Sequence, residues 1–134
     1  MTFAEQYVAL TMAMLNADGK QEPEELEAIR QIAADLDIKK SEVDALIKAE
    51  MANPKDLEKV ACSVKKKADA ELLIKACTEV ALADKFIGHD EVGMLLSIAE
   101  WMKLPRWKAV LPIAIAAQND RGIMIEGNPT LYNE

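Results

Sequence analysis

Apolar residues recur at intervals of three and four along most of the chain, which is the spacing of one face of an α-helix. Leu26, Ile29 and Ile32 show this spacing, and Gly19 and Pro105 are among the residues that interrupt it. Aromatic residues make up only 4% of the sequence, so small and aliphatic side chains must fill the interior, which suits packed helices. No segment reads as a sustained strand. The sequence therefore predicts an all-α fold, a bundle of about seven helices.

Start and stop signals give the predicted helices approximate bounds. The first helix is predicted from about Phe3 to Asn16, the second begins at Pro23, the sixth follows Gly88 and the seventh opens at Pro105. The remaining starts are marked by residues that commonly cap helices: Ser41 with Asp44, Asn53 with Pro54, and Asp69.

The length of 134 residues fits one domain. We assign residues 1–118 to a single helical domain. Residues 119–134 contain glycine and proline but no helical period, which predicts a loosely ordered C-terminal tail. Within that tail, Ile123–Ile125 can lie back on the body of the domain.

Several conspicuous side chains have a structural interpretation. Lys65–Lys67 are predicted to end the fourth helix, where positive charge complements the helix dipole. Cys62 and Cys77 are predicted to be small core residues. The spacing of Trp101 and Trp107 favours partial burial, with a groove for a partner as the alternative. The seventh helix is predicted to bury these apolar residues: Trp107, Val110, Leu111 and Ala114.

A shift of 66 residues aligns two parts of the chain without gaps. Asp18 then matches Asp84, and Glu25 matches Glu91. The apolar positions match in the same register: Ile29 with Leu95, Ile32 with Ile98, and Ala33 with Ala99. Because the acidic pairs coincide in phase with the apolar face, we predict a true internal repeat. Each half reads as a helix, a short acidic turn and a second helix, so the bundle should contain two pseudo-repeated halves.

The two acidic turns carry the chemistry of the sequence. In each, an aspartate ends one helix and a glutamate follows seven residues later, giving the pairs Asp18 with Glu25 and Asp84 with Glu91. Two carboxylates that face one space repel each other, and hard cations such as Ca²⁺ and Mg²⁺ take oxygen ligands of this kind. The alternative is that these acids only cap the helices and complement their dipoles. Neither turn has the ligand spacing of an EF-hand loop.

The charge balance excludes several classes of protein. With 16 Lys+Arg against 23 Asp+Glu, the net charge is −7, which argues against binding to nucleic acid or to anionic membrane. No apolar run approaches the roughly 18–20 residues of a membrane span, and the first residues lack the basic region of a signal peptide. The two cysteines have no CxxC spacing. We therefore predict a cytoplasmic protein that does not insert into membranes.

No arrangement typical of catalysis is visible in the sequence. There is no P-loop, no GxGxxG and no combination of serine or cysteine with histidine that predicts a nucleophile. His89 is the single histidine and stands beside Asp90 and Glu91, where a solvated loop side chain is the simpler interpretation. The sequence thus predicts that the protein is not an enzyme.

Two segments resemble the TerB-like (tellurite resistance TerB) family, which is related to the N-terminal domain of the co-chaperone DjlA. They are MLNADGKQEPEELEAIRQIAADLDI and its echo VALADKFIGHDEVGMLLSIAEWMKLP. The family pattern is a helix ending in Ala-Asp-Gly, a glutamate seven residues past the aspartate, and a helix rich in leucine and isoleucine, twice per domain. The resemblance covers roughly residues 5–118.

This resemblance implies an all-helical domain of about seven helices with two related halves. It implies a divalent metal ion, such as Ca²⁺, Mg²⁺, Mn²⁺ or Zn²⁺, held by acidic residues that fall on Asp18, Glu25, Asp84 and Glu91 in this sequence. It also implies a link to tellurite and chemical-stress resistance, a scaffolding role near membrane protein partners, and no enzymatic activity.

The second turn departs from the family pattern. Lys85 stands where the first turn has Gly19. A left-handed backbone costs lysine more than glycine, and the lysine charge can neutralise a nearby acid. Both effects weaken the second half-site.

Two functions remain open at this point, and a third, a hydrolase or redox enzyme that uses the acids, His89 or Cys77, is disfavoured because no catalytic arrangement is visible. The first is a binding module of the stress response that holds a divalent cation on its acidic turns and has a protein partner near the membrane. The second is a metal-free protein–protein interaction or scaffold domain, including a homodimer, in which the acidic turns are caps only. The methionine content and the two tryptophans support the second function.

Overall fold

Seven α-helices account for most of residues 1–17 and 23–125, which the computed structural model describes. In chain order they are α1 (Phe3–Asn16), α2 (Pro23–Asp35), α3 (Lys40–Ala52), α4 (Leu57–Cys62), α5 (Lys67–Ala81), α6 (His89–Trp101) and α7 (Trp107–Asn119). Two short strands, β1 (Phe86–Ile87) and β2 (Met124–Ile125), pair in parallel. The predicted all-α bundle of seven helices is confirmed. Among these helices none is long and apolar enough to cross a membrane.

The helices repeat at the spacing that the sequence predicted. Adding 66 to the bounds of α2 (Pro23–Asp35) gives 89–101, which are the bounds of α6. The same shift places α3 within one residue of α7, and it places the end of α1 within one residue of the end of α5. The short helix α4 has no counterpart and connects the two halves. The structure thus consists of two three-helix units joined by α4.

The turns that end α2 and α6 are also equivalent. Asp37 and Lys103, which are 66 residues apart, both have a left-handed backbone with φ of 62°. In each turn the next amide, that of Ile38 or Leu104, donates to a carbonyl five residues earlier, at 2.9 Å and 2.8 Å respectively. This is the bonding of a Schellman motif, in which the left-handed position is most often glycine. The repeat therefore extends to backbone geometry at positions where the two side chains differ in charge.

Helices α1 and α5 form the centre of the bundle, because each contacts the other and several outer helices. Tyr7 in α1 and its counterpart Leu73 in α5 are both completely buried. The Tyr7 hydroxyl donates a hydrogen bond to the backbone carbonyl of Ile29, which ties α1 to α2. The core is mainly aliphatic and methionine-rich, as the low aromatic content required.

Three of the predicted helix starts are wrong. Helix α3 follows Lys39 at its N-cap, so Ser41 lies inside the helix and caps nothing, and Asp44 instead pairs with Arg30 at 3.1 Å. Helix α4 follows Asp56, whose side chain accepts from the amide of Lys59 at 3.2 Å. Asn53, predicted to cap α4, is instead the C-cap of α3. Asp69, predicted to cap α5, lies inside its first turn, and the N-cap of α5 is Lys66.

Other side-chain predictions are also corrected. Lys65–Lys67 do not end α4, which stops at Cys62, and they lead into α5 instead. Cys77 is buried as predicted, whereas Cys62 is exposed. Helix α7 buries Ala109 and Ile113, and its larger apolar side chains, predicted to face the core, face outward: Trp107, Val110 and Leu111.

The segment after α7 (Trp107–Asn119) returns to the body of the domain. Ile125 is buried and pairs with Ile87, and the amide of Met124 donates to the carbonyl of Lys85 at 2.8 Å. The expectation that Ile123–Ile125 lie back on the domain is therefore confirmed. The rest of the predicted tail, from residue 126 onward, lies outside the described residues.

Candidate functional site

The first acidic turn joins α1 to α2. Asp18 lies outside the described residues, so its position relative to Glu25 is not part of the structure. Glu25 occupies the third position of α2 (Pro23–Asp35), and only 3% of its surface is exposed. Of the two carboxylates predicted for the first half-site, the structure therefore describes only that of Glu25, and it is buried.

The second acidic turn, between α5 and α6, is described completely. Asp84 is half-buried, and its Oδ1 accepts a hydrogen bond from the amide of Phe86 at 3.0 Å. A side chain that bonds an amide two residues later stabilises a tight turn without help from a ligand. Lys85 between them has φ of 63°, the left-handed conformation that glycine adopts more easily.

Glu91 acts as the cap that the alternative interpretation predicted. It is the third residue of α6 (His89–Trp101), and its Oε1 accepts from the amide of Gly88 at 3.1 Å. Gly88 has no side chain, so only the glutamate half of a capping box is present. Only 2% of the Glu91 surface is exposed, in agreement with the burial of Glu25 at the equivalent position.

The burial of both glutamates is the most unusual feature of the two turns. Carboxylates are rarely buried to this degree, because removal from water penalises the ionised form. Glu25 and Glu91 each lie at a helix N-terminus, where the helix dipole favours negative charge. The sequence shows that Glu25 and Glu91 occupy equivalent positions of the repeat. The structure adds that both side chains are buried to the same degree.

Lys85 forms an ion pair, but its partner is not one of the turn acids. Its Nζ lies 3.0 Å from Oδ2 of Asp120, in the segment after α7 (Trp107–Asn119). The backbone amide of Gly122, assisted by this lysine, holds the pKa of the Asp120 carboxyl below its usual value. Lys85 thus neutralises Asp120, a residue that sequence reasoning did not consider, and not a carboxylate of the second half-site as expected.

The described residues alone do not provide a complete metal site. Within residues 1–17 and 23–125, no group of three or more histidine, cysteine, aspartate or glutamate side chains is arranged to hold a metal ion. Glu25, Asp84 and Glu91 offer the oxygen atoms that hard cations prefer, but they do not form one cluster. The four-carboxylate site predicted with Asp18 therefore stays a prediction. His89 begins α6 and is exposed.

A second surface was not predicted. Trp107, Val110, Leu111 and Ile115 form an exposed apolar strip along α7, which we call the α7 strip. At the equivalent positions, 66 residues earlier, α3 (Lys40–Ala52) carries small or polar residues: Ser41, Asp44, Ala45 and Ala49. Comparison of α7 with α3 in the repeat register would have revealed the strip from sequence alone.

Comparison with known proteins identifies the family. The family model described as Tellurite resistance protein TerB matches residues 4–109, which include α2 to α6 completely, all but the first residue of α1, and both acidic turns. No curated protein and no solved structure matches the chain significantly. The family match begins at the start of α1 and ends near the start of α7, so most of the α7 strip lies beyond it. The match covers well over half of the sequence, and the chain belongs to the TerB family of tellurite resistance proteins.

Proposed function

We propose that this chain is a non-enzymatic binding module of a tellurite- or stress-resistance system, and that it binds a divalent cation through its two acidic turns. The observation that carries the proposal is the burial of Glu25 and Glu91 at equivalent positions of the repeat. A cation beside a turn would offset the cost of keeping a carboxylate ionised away from water. Asp18 and Asp84 would complete the two half-sites.

The two half-sites should differ in strength. In the second turn, the Asp84 Oδ1 and the Glu91 Oε1 already accept backbone amides, which compete with a cation for these oxygen atoms. Lys85 stands in this turn with a left-handed backbone, which constrains any rearrangement of the turn around an ion. The first turn has Gly19 at the equivalent position and four acids between residues 18 and 25. We therefore expect the first turn to bind the ion more tightly.

Titration of the full chain with Ca²⁺, Mg²⁺, Mn²⁺ and Zn²⁺, followed by amide NMR and thermal unfolding, tests this proposal. We expect at least one ion to shift amides near Glu25 at lower concentration than amides near Glu91. An ion at about 100 times its Kd should stabilise the fold by about 2.7 kcal/mol. If none of the four ions changes either measurement at millimolar concentration, the cation-binding function is wrong.

Isosteric variants separate binding from capping. Glutamine can still accept the Gly88 amide, so Glu91→Gln removes the charge and keeps the cap. Asp84→Asn likewise keeps an oxygen for the Phe86 amide. Both variants should fold normally and lose the response of the second turn. A full response in both would show that these acids serve as caps only.

The α7 strip favours a second candidate function, a protein–protein interaction domain. Four large apolar side chains on α7 are between 43% and 56% exposed. The equivalent helix of the repeat, α3, has small or polar residues at the same positions. Exposed apolar surface of this kind marks interaction sites in many proteins. Under this function the chain self-associates through α7 or meets a protein partner near the membrane in the cytoplasm, independently of metal.

Charge placed on the strip tests the homodimer directly. Sedimentation of the native chain in chelator should show concentration-dependent association, and Leu111→Lys with Ile115→Lys should abolish it because burying lysine is costly. The matched control is Ala45→Lys with Ala49→Lys, at the equivalent exposed positions of α3 (Lys40–Ala52). A native chain that stays monomeric at millimolar concentration contradicts the homodimer.

A further inference from the structure

A cavity of about 370 Å³ lies between the start of α5 (Lys67–Ala81) and the end of α6 (His89–Trp101). Its size falls within the range of small-molecule sites, about 300–1,000 Å³. The polar lining comes mainly from lysines: Lys65, Lys66, Lys67 and Lys103. This cavity is far from neutral in a chain that is otherwise acidic, and neither acidic turn contributes to it.

The lysines of this cavity take no part in the ion pairs that the described residues, 1–17 and 23–125, form. Lys65 donates to a neutral backbone carbonyl, that of Cys62, at 3.1 Å. Four like charges around one space repel each other, so an anion placed among them would be attracted and would relieve the repulsion.

The position of the lysines strengthens this attraction. Lys65–Lys67 lead into α5 (Lys67–Ala81), and a helix N-terminus itself carries partial positive charge. Helix α1, the counterpart of α5, has a capping box in which Thr2 and Glu5 bond each other's amides. The N-cap of α5, Lys66, makes no such side-chain bond, although Asp69 lies in the first turn. The two halves of the repeat therefore differ at this end: one helix is capped by its own side chains, and the other is surrounded by cations.

The remaining wall of the cavity is apolar and partly aromatic. Trp101 is half-buried there, beside Leu104, Pro105 and Val64. A bare inorganic anion would use only the lysines, whereas a ligand with both an anionic group and a flat or apolar group would use both walls. The chemistry of the lining thus points to an organic anion rather than to a simple ion.

We propose that this cavity binds a small organic phosphate, with the phosphate group between Lys66, Lys67 and Lys103 and the apolar part of the ligand against Trp101. Lysine ammonium groups form strong charge-assisted hydrogen bonds to phosphate oxygens. The site is separate from the acidic turns and opposite in charge, so it does not depend on the proposed cation binding.

Amide NMR of the full chain, titrated at constant ionic strength with AMP, adenosine and inorganic phosphate as probes, tests the proposal. AMP should give saturable shifts confined to residues 64–70 and 101–105. Adenosine lacks the anion and phosphate lacks the ring, so each should bind at least about tenfold more weakly than AMP, equivalent to about 1.4 kcal/mol. Shifts from AMP that are scattered over the surface, or no saturation up to millimolar concentration, would overturn the proposal.

A matched pair of glycine variants shows whether the lysines are responsible. Lys103→Gly removes a cavity charge and also relieves a left-handed backbone, so its melting temperature should not fall and lost binding cannot reflect unfolding. Asp37→Gly relieves the same backbone conformation in the equivalent turn and leaves the cavity intact. We expect the AMP Kd to rise about tenfold in Lys103→Gly and in Lys66→Gln, and to stay unchanged in Asp37→Gly. Equal AMP affinity in all three variants would contradict the proposal.

A soluble organic phosphate and a lipid headgroup carry the same phosphate chemistry. Binding to phospholipid vesicles distinguishes the two. Vesicles of phosphatidylcholine with phosphatidylglycerol should not bind the chain more tightly than AMP does. Vesicle binding that is lost in Lys66→Gln, together with no AMP binding, would overturn the small-molecule site in favour of a membrane surface.

Discussion

Replacing Tyr7 with alanine should lower the free energy of unfolding by about 3–5 kcal/mol, the cost of removing a large buried aromatic side chain. Tyr7 is completely buried at the centre of the bundle, in the helix that contacts most of the others. The variant also removes the hydroxyl that donates to the carbonyl of Ile29 and so loosens the contact between α1 and α2. Urea denaturation followed by circular dichroism gives the free energy of unfolding.

Two comparisons divide this effect into its parts. Tyr7→Phe keeps the ring and removes only the hydrogen bond, which should cost about 1 kcal/mol. Leu73→Ala, at the counterpart position in α5, should cost about 2–5 kcal/mol, whereas Leu72→Ala next to it should cost far less because Leu72 is 44% exposed. A loss below about 1 kcal/mol in Tyr7→Ala would contradict the central place of α1 in the core.

The two cysteines should react with a thiol reagent at rates that differ by about a thousandfold or more. Burial raises the pKa of Cys77 from its ordinary value of 9.0 to about 12. Because the thiolate is the reactive form, a rise of three pKa units lowers the reactive fraction at pH 8 by roughly 10³. Limited access to the buried sulphur lowers the rate further. Cys62 is exposed and should react at once.

Absorbance of an aromatic disulfide reagent measures both rates. Native protein should release one equivalent rapidly and the second only slowly, and urea should make both thiols react fast. Cys62→Ser should lose the fast phase, and Cys77→Ser should lose the slow one. A rapid reaction of the remaining thiol in Cys62→Ser without denaturant would show that α5 opens far more easily than the burial of Cys77 indicates.

The sequence predicts the start of a helix well where a single residue type marks that start. Pro23 marks the start of α2 because its fixed φ suits the first helical position, and Gly88 marks the start of α6 because glycine disfavours a helix interior. Around α3 and α4 several residues can cap a helix, and Asn53 and Asp56 are about equally good N-caps, so the sequence alone does not select Asp56, which caps α4 in the structure. Periodicity has a similar limit, since it finds the two faces of α7 but does not decide which of them meets the core.

The candidate site likewise has features that the sequence predicts and features that only the packing of the helices reveals. The repeat register correctly equates Glu25 with Glu91, and position in the first helical turn explains why acids are favoured there. Their near-complete burial depends on the packing of whole helices around them, which no local pattern reveals. The basic cavity was missed for the same reason: Lys103 is far from Lys65–Lys67 in the chain and is brought to them only by the meeting of α5 and α6.

The parallel pairing of β1 with β2 gives the second acidic turn a support that comes from outside the two helices it joins. Phe86 and Ile87 are held by Met124 and Ile125, and Lys85 is held by Asp120, so a segment from the far end of the chain clamps this turn. The corresponding positions after α3 belong to α4 (Leu57–Cys62), which is helical. Any recombinant fragment that ends at residue 118 would remove this clamp, and the response of such a fragment to ions would describe a different second turn.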